Sequence, residues 1–117
     1  MEVVNEGSGA LLVLADPMTI VHCAELADLV VKRRLPAMFP VPECLAAGGL
    51  ASYWPNIEAT NRRAAWYVHR ILSGARPGDL PIEIPNKFDL TISLKTAKAL
   101  GLTIPPSVLQ RADQVIE

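Results

Sequence analysis

Six consecutive apolar residues, Ala10-Leu-Leu-Val-Leu-Ala15, run straight into Asp16-Pro17. A run this short, without alternation, suits a strand covered on both faces, as in a parallel sheet layered between helices. Asp-Pro is a helix start, because aspartate accepts from the first unpaired amides and proline has no amide to leave unpaired. Apolar residues then recur at Ile20, Ala24, Ala27 and Val31 with helical spacing. Lys32-Arg33-Arg34 closes the helix, where cations offset its dipole, so the cluster needs no ligand to explain it. Ala37-Met-Phe39, bounded by Pro36 and Pro40, reads as a second short strand. Strand, helix and strand in that order form a βαβ unit. The fold class is therefore α/β, with a Rossmann-like parallel sheet flanked by helices.

The remaining chain continues in short elements. Glu43 to Ala47 predicts a helical turn stopped by Gly48-Gly49, and Leu50 to Tyr53 a third strand. Asn56 can cap a long helix carrying Ala64, Ala65, Val68, Ile71 and Leu72, which ends at Ser73-Gly74. Two glycines and two prolines between Gly74 and Pro81 mark a loop or crossing segment. Phe88-Asp-Leu90-Thr-Ile92-Ser-Leu94 alternates, which predicts a strand with one wet face at an edge or across a hinge. Ser93 caps a short helix ended by Gly101. A last helix follows Ile104-Pro-Pro106, starting either at Pro106 or through a capping box at Ser107 and Gln110. The chain is expected to form one lobe over residues 1–117. Residues 1–80 would hold its core βαβ units, and residues 81–117 a hinge-crossing strand and C-terminal helices.

Charge and composition remove several function classes. Eleven basic against twelve acidic side chains give a formal net charge of -1, with no basic footprint for nucleic acid or an anionic membrane. The longest apolar run is far short of the roughly 20 residues of a membrane span. Met1 to Ser8 lacks the basic and apolar regions of a secretory signal. Cys23 and Cys44 have neither CxxC spacing nor disulfide-scaffold density, and are expected to be free, buried thiols. His22, Cys23 and Cys44 lack the spacing of a zinc site, so no metal is expected. There is no Walker A loop, no G-x-G-x-x-G and no G-x-S-x-G, and nothing pairs Cys44 with His22 or His69 as a nucleophile and base. Neither catalysis nor a cofactor is expected.

Position supplies the candidate site. In open α/β sheets ligands sit beyond the carboxyl ends of the parallel strands. Here those ends are Asp16, Pro40 to Glu43, and Ser52 to Trp54. Asp16 could accept from a ligand ammonium, Ser52 could donate to a carboxylate or hydroxyl, and Tyr53 or Trp54 could stack on an apolar group. The competing role for Asp16 is plain helix capping, and for Glu43 a solvated first-turn acid. Trp66 and Tyr67, in mid-helix, read as packing residues.

Several longer stretches resemble the ABC transporter substrate-binding proteins of the tryptophan/tyrosine type. They are Ala10 to Pro17, Arg34-Leu-Pro-Ala37, Ala47-Gly-Gly-Leu-Ala-Ser-Tyr53, and Arg62-Arg-Ala-Ala65 through Ile71-Leu-Ser-Gly74. The tail carries the likeness further in Asp79-Leu-Pro81, Lys87-Phe88, Leu94 through Pro106 and Arg111-Ala-Asp113. The resemblance implies part of the C-terminal lobe of a type I periplasmic-binding fold, with a small solute trapped between two lobes by hinge closure. It further implies an importer permease as partner, an extracytoplasmic location, and ligand contacts at Asp16, Ser52 and Tyr53, with Glu43 as a further candidate. Trp54 departs from the glycine that such proteins commonly have after the Ser-Tyr pair. The implied N-terminal lobe and the opening strands of the second lobe are missing from the 117 residues; a lobe without its opening strands is expected to expose a sheet edge, and with it to form a homodimer or a swapped assembly. A ligand-sensing regulatory domain of the same fold and a Rossmann-like enzyme fragment are the rival readings.

Overall fold

The computed structural model describes Gly7 and residues 9–117. Within these residues the chain forms two compact units, one holding the described residues up to Trp54 together with Asp89–Glu117, the other spanning Pro55–Phe88.

The first unit is organised by a five-stranded sheet in the order β1 (Leu11–Leu12), β2 (Ala37–Phe39), β3 (Ala51–Pro55), β4 (Phe88–Ser93) and β5 (Gln114–Ile116). β1 pairs parallel with β2, β2 with β3, and β4 with β5. The register sets Leu12 beside Met38, Met38 beside Ala51, and Phe39 beside Ser52. The expected α/β sheet with flanking helices is present.

Between β1 and β2 lie α1 (Pro17–Val21) and α2 (Cys23–Lys32). A single helix was expected through Val31; the chain instead breaks at His22, where φ is -97° and ψ 17°. α2 turns Ala27 and Val30 inward onto Leu35, Ala37, Phe39 and Cys44, with Leu11 and Val13 packed against this core. Because successive strand residues face opposite ways, Leu12 and Leu14 point away from it and are exposed. The apolar run from Ala10 to Ala15 is thus covered on one face in this chain, not on both.

A 3-10 helix over Pro42–Ala47 follows β2 and ends at Gly48, where φ is +119°. A Cβ at Gly48 would lie 2.5 Å from Val31 Cγ2, and one at Gly49 would lie 2.8 Å from the Phe39 ring. The glycine pair therefore ends the helix and also lets the chain pass close over α2 and β2.

Cys23 and Cys44 form a disulfide, with Cα atoms 5.4 Å apart, a normal bridging separation. This corrects the expectation of two free thiols. They are 21 positions apart in sequence, and the packing of α2 on the 3-10 helix makes them neighbours. The bond also removes Cys44 as a nucleophile and both sulfurs as ligands of a metal.

One expectation for the C-terminal part is overturned, and one open choice is decided. β4 is an interior strand between β3 and β5, and Thr91, Ile92 and Ser93 are all buried, so the alternation does not mark a wet face. Thr91 and Ser93 mimic a solvent face in sequence, but Ser93 Oγ caps α4 (Leu94–Ala99) by accepting from the Thr96 amide at 3.2 Å. The last helix, α5 (Pro106–Leu109), is only four residues long, starts at Pro106 and has no side-chain cap. The chain then forms β5, a strand the sequence did not announce. Leu90 secures the approach to it, its amide donating to Asp113 Oδ2 at 2.8 Å while its carbonyl accepts from the Asp113 amide at 2.8 Å.

The second unit is dominated by α3 (Ile57–Leu72), capped by Asn56, whose Oδ1 accepts from the Ala59 amide at 2.7 Å. Replacing Asn56 by alanine is expected to lower stability by about 1 kcal/mol in urea titrations, with a serine replacement retaining most of it.

Candidate functional site

Because β1, β2 and β3 are mutually parallel neighbours, their carboxyl ends share one edge of the sheet. Asp16 and Glu43 lie a few residues beyond the ends of β1 and β2, and Ser52 and Tyr53 are the second and third residues of β3, with Ser52 level with Phe39 at the end of β2. The four residues differ in their exposure.

Asp16 is exposed at the N-terminus of α1 and takes part in a reciprocal cap. Its Oδ1 accepts from the Met18 amide at 2.8 Å, and its own amide donates to Thr19 Oγ1 at 3.1 Å. One carboxylate oxygen thus fixes the turn while the side chain remains open to solvent. Glu43 is exposed in the first turn of the 3-10 helix. Ser52 is 1% exposed, packed within the sheet unit. Tyr53, pointing the other way along the strand, is 51% exposed. Of the four, Ser52 is buried, and Asp16, Glu43 and Tyr53 are each exposed to solvent. Trp54 is half-buried.

The second unit contains a separate constellation that the sequence reading treated only as packing. Arg63 forms a bidentate ion pair with Glu83, its Nε donating to Oε2 at 2.6 Å. The same guanidinium lies 3.8 Å from the centroid of the Trp66 ring, a cation-π stack. The Tyr67 hydroxyl donates to the Pro81 carbonyl at 2.6 Å. Together these contacts clamp the 81–87 connector along α3 and enclose an open cleft of about 570 Å³ lined by Thr60, Arg63, Tyr67, Glu83, Asn86 and Lys87. Of its two lining cations, Arg63 is already paired with Glu83, and the cleft follows from the clamp.

The hydrogen bond from Arg63 holds the Glu83 carboxyl below its ordinary value of 4.5. A carboxyl lowered in the folded state contributes stability above its unfolded pKa, and that contribution disappears as pH falls through the folded value. The clamp is accordingly expected to be intact at neutral pH and to open in acid. The Glu83 carboxyl resonance should titrate below 4.5, and Arg63→Met should return its midpoint to the ordinary range. An unchanged midpoint in that variant would show that the ion pair does not form in solution.

Among the described residues, no group of three or more His, Cys, Asp or Glu side chains could hold a metal ion, and no helix is long and apolar enough to cross a membrane.

Comparison with known proteins gives this geometry a family context. No curated protein matches the sequence. A conserved domain protein from Vibrio cholerae O1 biovar El Tor superposes with a TM-score of 0.82 at 26% identity, covering 92% of this chain and 36% of that one. An ABC domain from Streptococcus pneumoniae, in complex with L-Trp, superposes with a TM-score of 0.81 at 28% identity, covering 92% of this chain and 38% of that one. The ligand-free, open form of a Clostridium difficile substrate-binding protein with adhesive properties shares the fold, with a TM-score of 0.65 at 19% identity. The chain spans little more than a third of the length of these neighbours. The family model described as "ABC transporter substrate binding protein" matches residues 1–116, and with the α/β sheet and its strand-end rim already in place, the chain belongs to that family.

Proposed function

We propose that this chain contributes one wall of the solute cleft of an ABC importer's receptor, and that it binds an amino acid or a similar small organic acid without covalent chemistry. What supports this reading is the parallel order of β1, β2 and β3, which sends their carboxyl ends to one edge of the sheet, with Asp16 and Glu43 exposed in the segments after β1 and β2 and Tyr53 exposed within β3. A carboxylate suits a ligand ammonium and an exposed aromatic ring suits an apolar or aromatic side chain. Ser52 would act from beneath, its hydroxyl available to a solute that displaces the packing around it. Trp54 beside this wall would narrow the pocket. The L-Trp bound in the Streptococcus pneumoniae neighbour supports a solute of this class.

Trapping would proceed by hinge closure against a complementary lobe, with a permease receiving the solute from the closed form. An isolated wall cannot enclose a ligand, so the 117 residues alone are expected to bind weakly. The Cys23–Cys44 disulfide favours an oxidising, extracytoplasmic compartment and thereby the receptor over a cytoplasmic regulator of the same fold. A homodimer through the sheet edge has little to support it, because the edge strand β1 is only two residues long.

The deciding variant is Asp16→Asn, since asparagine caps a helix about as well as aspartate but carries no charge. In the full-length protein, Asp16→Asn is expected to weaken solute binding at least about tenfold, the loss of a charge-assisted hydrogen bond, while the melting temperature without solute stays put. Calorimetric titration against the twenty amino acids and short organic acids supplies the readout. Equal affinity in the variant would reduce Asp16 to a cap, and no solute stabilising the protein would remove the receptor reading.

A further inference from the structure

The segments that leave β1 and β2 are joined covalently where their own backbones support them least. The 3-10 helix over Pro42–Ala47 begins without a side-chain cap, since its N-cap is Val41. Its opening hydrogen bond, from the Cys44 amide to the Val41 carbonyl, is 3.4 Å. That is beyond the roughly 3.2 Å limit of a normal N–H···O bond. Six residues is also long for a 3-10 helix, whose hydrogen bonds are poorly aligned. Pro42 presets the entry torsion but has no amide to donate. α2 likewise starts at Cys23 without a side-chain cap, directly after the break at His22. The Cys23–Cys44 bond thus links the starts of two uncapped elements.

Farther along, packing holds the two elements side by side: Leu45 is buried, and Gly48 passes close against Val31 of α2. The first turn, with Glu43 exposed one residue before Cys44, is tied to α2 through the sulfurs. We propose that the Cys23–Cys44 bond positions Glu43 for the solute, so that affinity falls when the bond is reduced although the sheet unit stays folded. The inference rests on the receptor reading above and adds to it a pair of positioning residues that need touch no solute. With the bond in place the Glu43 backbone is fixed relative to α2 before a solute arrives, and binding bears no cost of ordering that turn. Without it the turn samples other conformations, and apparent affinity falls by the fraction of chains that remain competent. The core of Ala27, Val30, Leu35, Ala37 and Phe39 is held by apolar burial, which reduction leaves in place.

Calorimetric titration of the full-length protein with each of the twenty amino acids, oxidised and then reduced with dithiothreitol well below its melting temperature, tests this role. The amino acid that binds the oxidised protein most tightly is expected to lose about tenfold in affinity on reduction and to regain it on reoxidation. In Glu43→Gln, already weaker, reduction is expected to change affinity less than about twofold, because the group that the bond positions is gone. Amide exchange locates the cause: reduction should speed exchange at Cys44 and Leu45 about tenfold more than in β4 and α4 of the same unit. Equal affinity in both redox states overturns the proposal, as does an equal loss in Glu43→Gln or a uniform acceleration of exchange. Should reduction unfold the protein, the titration is repeated in sucrose, which favours the compact state. A reduced chain that stays unfolded there makes the bond a condition of folding and also overturns the role. Failure of every amino acid to bind the oxidised protein removes the receptor reading itself, a result distinct from binding that ignores the bond.

Discussion

Phe39→Ala is expected to destabilise the sheet unit by about 3–5 kcal/mol, a large share of the stability of a domain this size. Phe39 is 1% exposed at the end of β2, between β1 and β3, and belongs to the cluster that α2 closes over. Removing its ring withdraws apolar surface from the core and leaves a cavity that the parallel strands on either side cannot close, since their register is fixed by backbone hydrogen bonds. Urea denaturation should show the midpoint falling with little change in slope. A second substitution makes the cause specific. A Cβ on Gly49 would sit 2.8 Å from the Phe39 ring, so Gly49→Ala alone should cost about 1–3 kcal/mol through overpacking. In the Phe39→Ala background that cost should fall by at least half, because the added methyl enters the space the ring vacated. Strict additivity of the two changes would mean that Gly49 does not pack on Phe39.

Replacing both Cys23 and Cys44 by alanine, or reducing the bond, is expected to cost about 3 kcal/mol, the chain-entropy value for a closed loop of this length. The melting temperature should drop by roughly 10 °C or more. Cys44 is fully buried and Cys23 packs against the same core, so alanine also trims the apolar contact between α2 and the 3-10 helix. Reduction of the wild type and the double variant should therefore differ by that smaller packing contribution. A thermal scan with and without a reductant is sufficient. A shift below about 1 kcal/mol would mean that the sulfurs are not bonded, and the support for an oxidising compartment would go with it. A shift of the expected size connects stability to function, because a receptor working outside the cytoplasm keeps the bond and a cytoplasmic regulator would have to fold without it.

The strand ends from which the candidate site was argued were legible, because strand ends are punctuated in sequence. Asp16-Pro17 after an apolar run, Pro40 after Ala37-Met-Phe39, and the Ser-Tyr-Trp run before Pro55 all mark where a strand stops. With β1, β2 and β3 parallel and adjacent, the segments that carry Asp16 and Glu43 leave the sheet at the same edge. The burial of Ser52 was not legible. A small polar residue has the same identity in a cleft wall as under it, and only the register with Phe39 decides which.

Elements whose signal is local were set by the sequence itself: the Asp16 and Asn56 caps, the glycine stop after the 3-10 helix, the Ala37–Phe39 strand and the length of α3. Each depends on hydrogen bonds and torsions spanning a few residues, which neighbouring side chains dictate. The tertiary structure alone decided the Cys23–Cys44 bond, the interior position of β4, the strand β5 and the Arg63–Glu83 clamp. These join residues from about 20 to about 43 positions apart or depend on which neighbours a strand acquires, and no local preference encodes that choice. Burial of Thr91 and Ser93 shows the reason most plainly: their polarity predicts solvent, but a strand with partners on both sides and a hydroxyl satisfied by its own helix cap places them in the core.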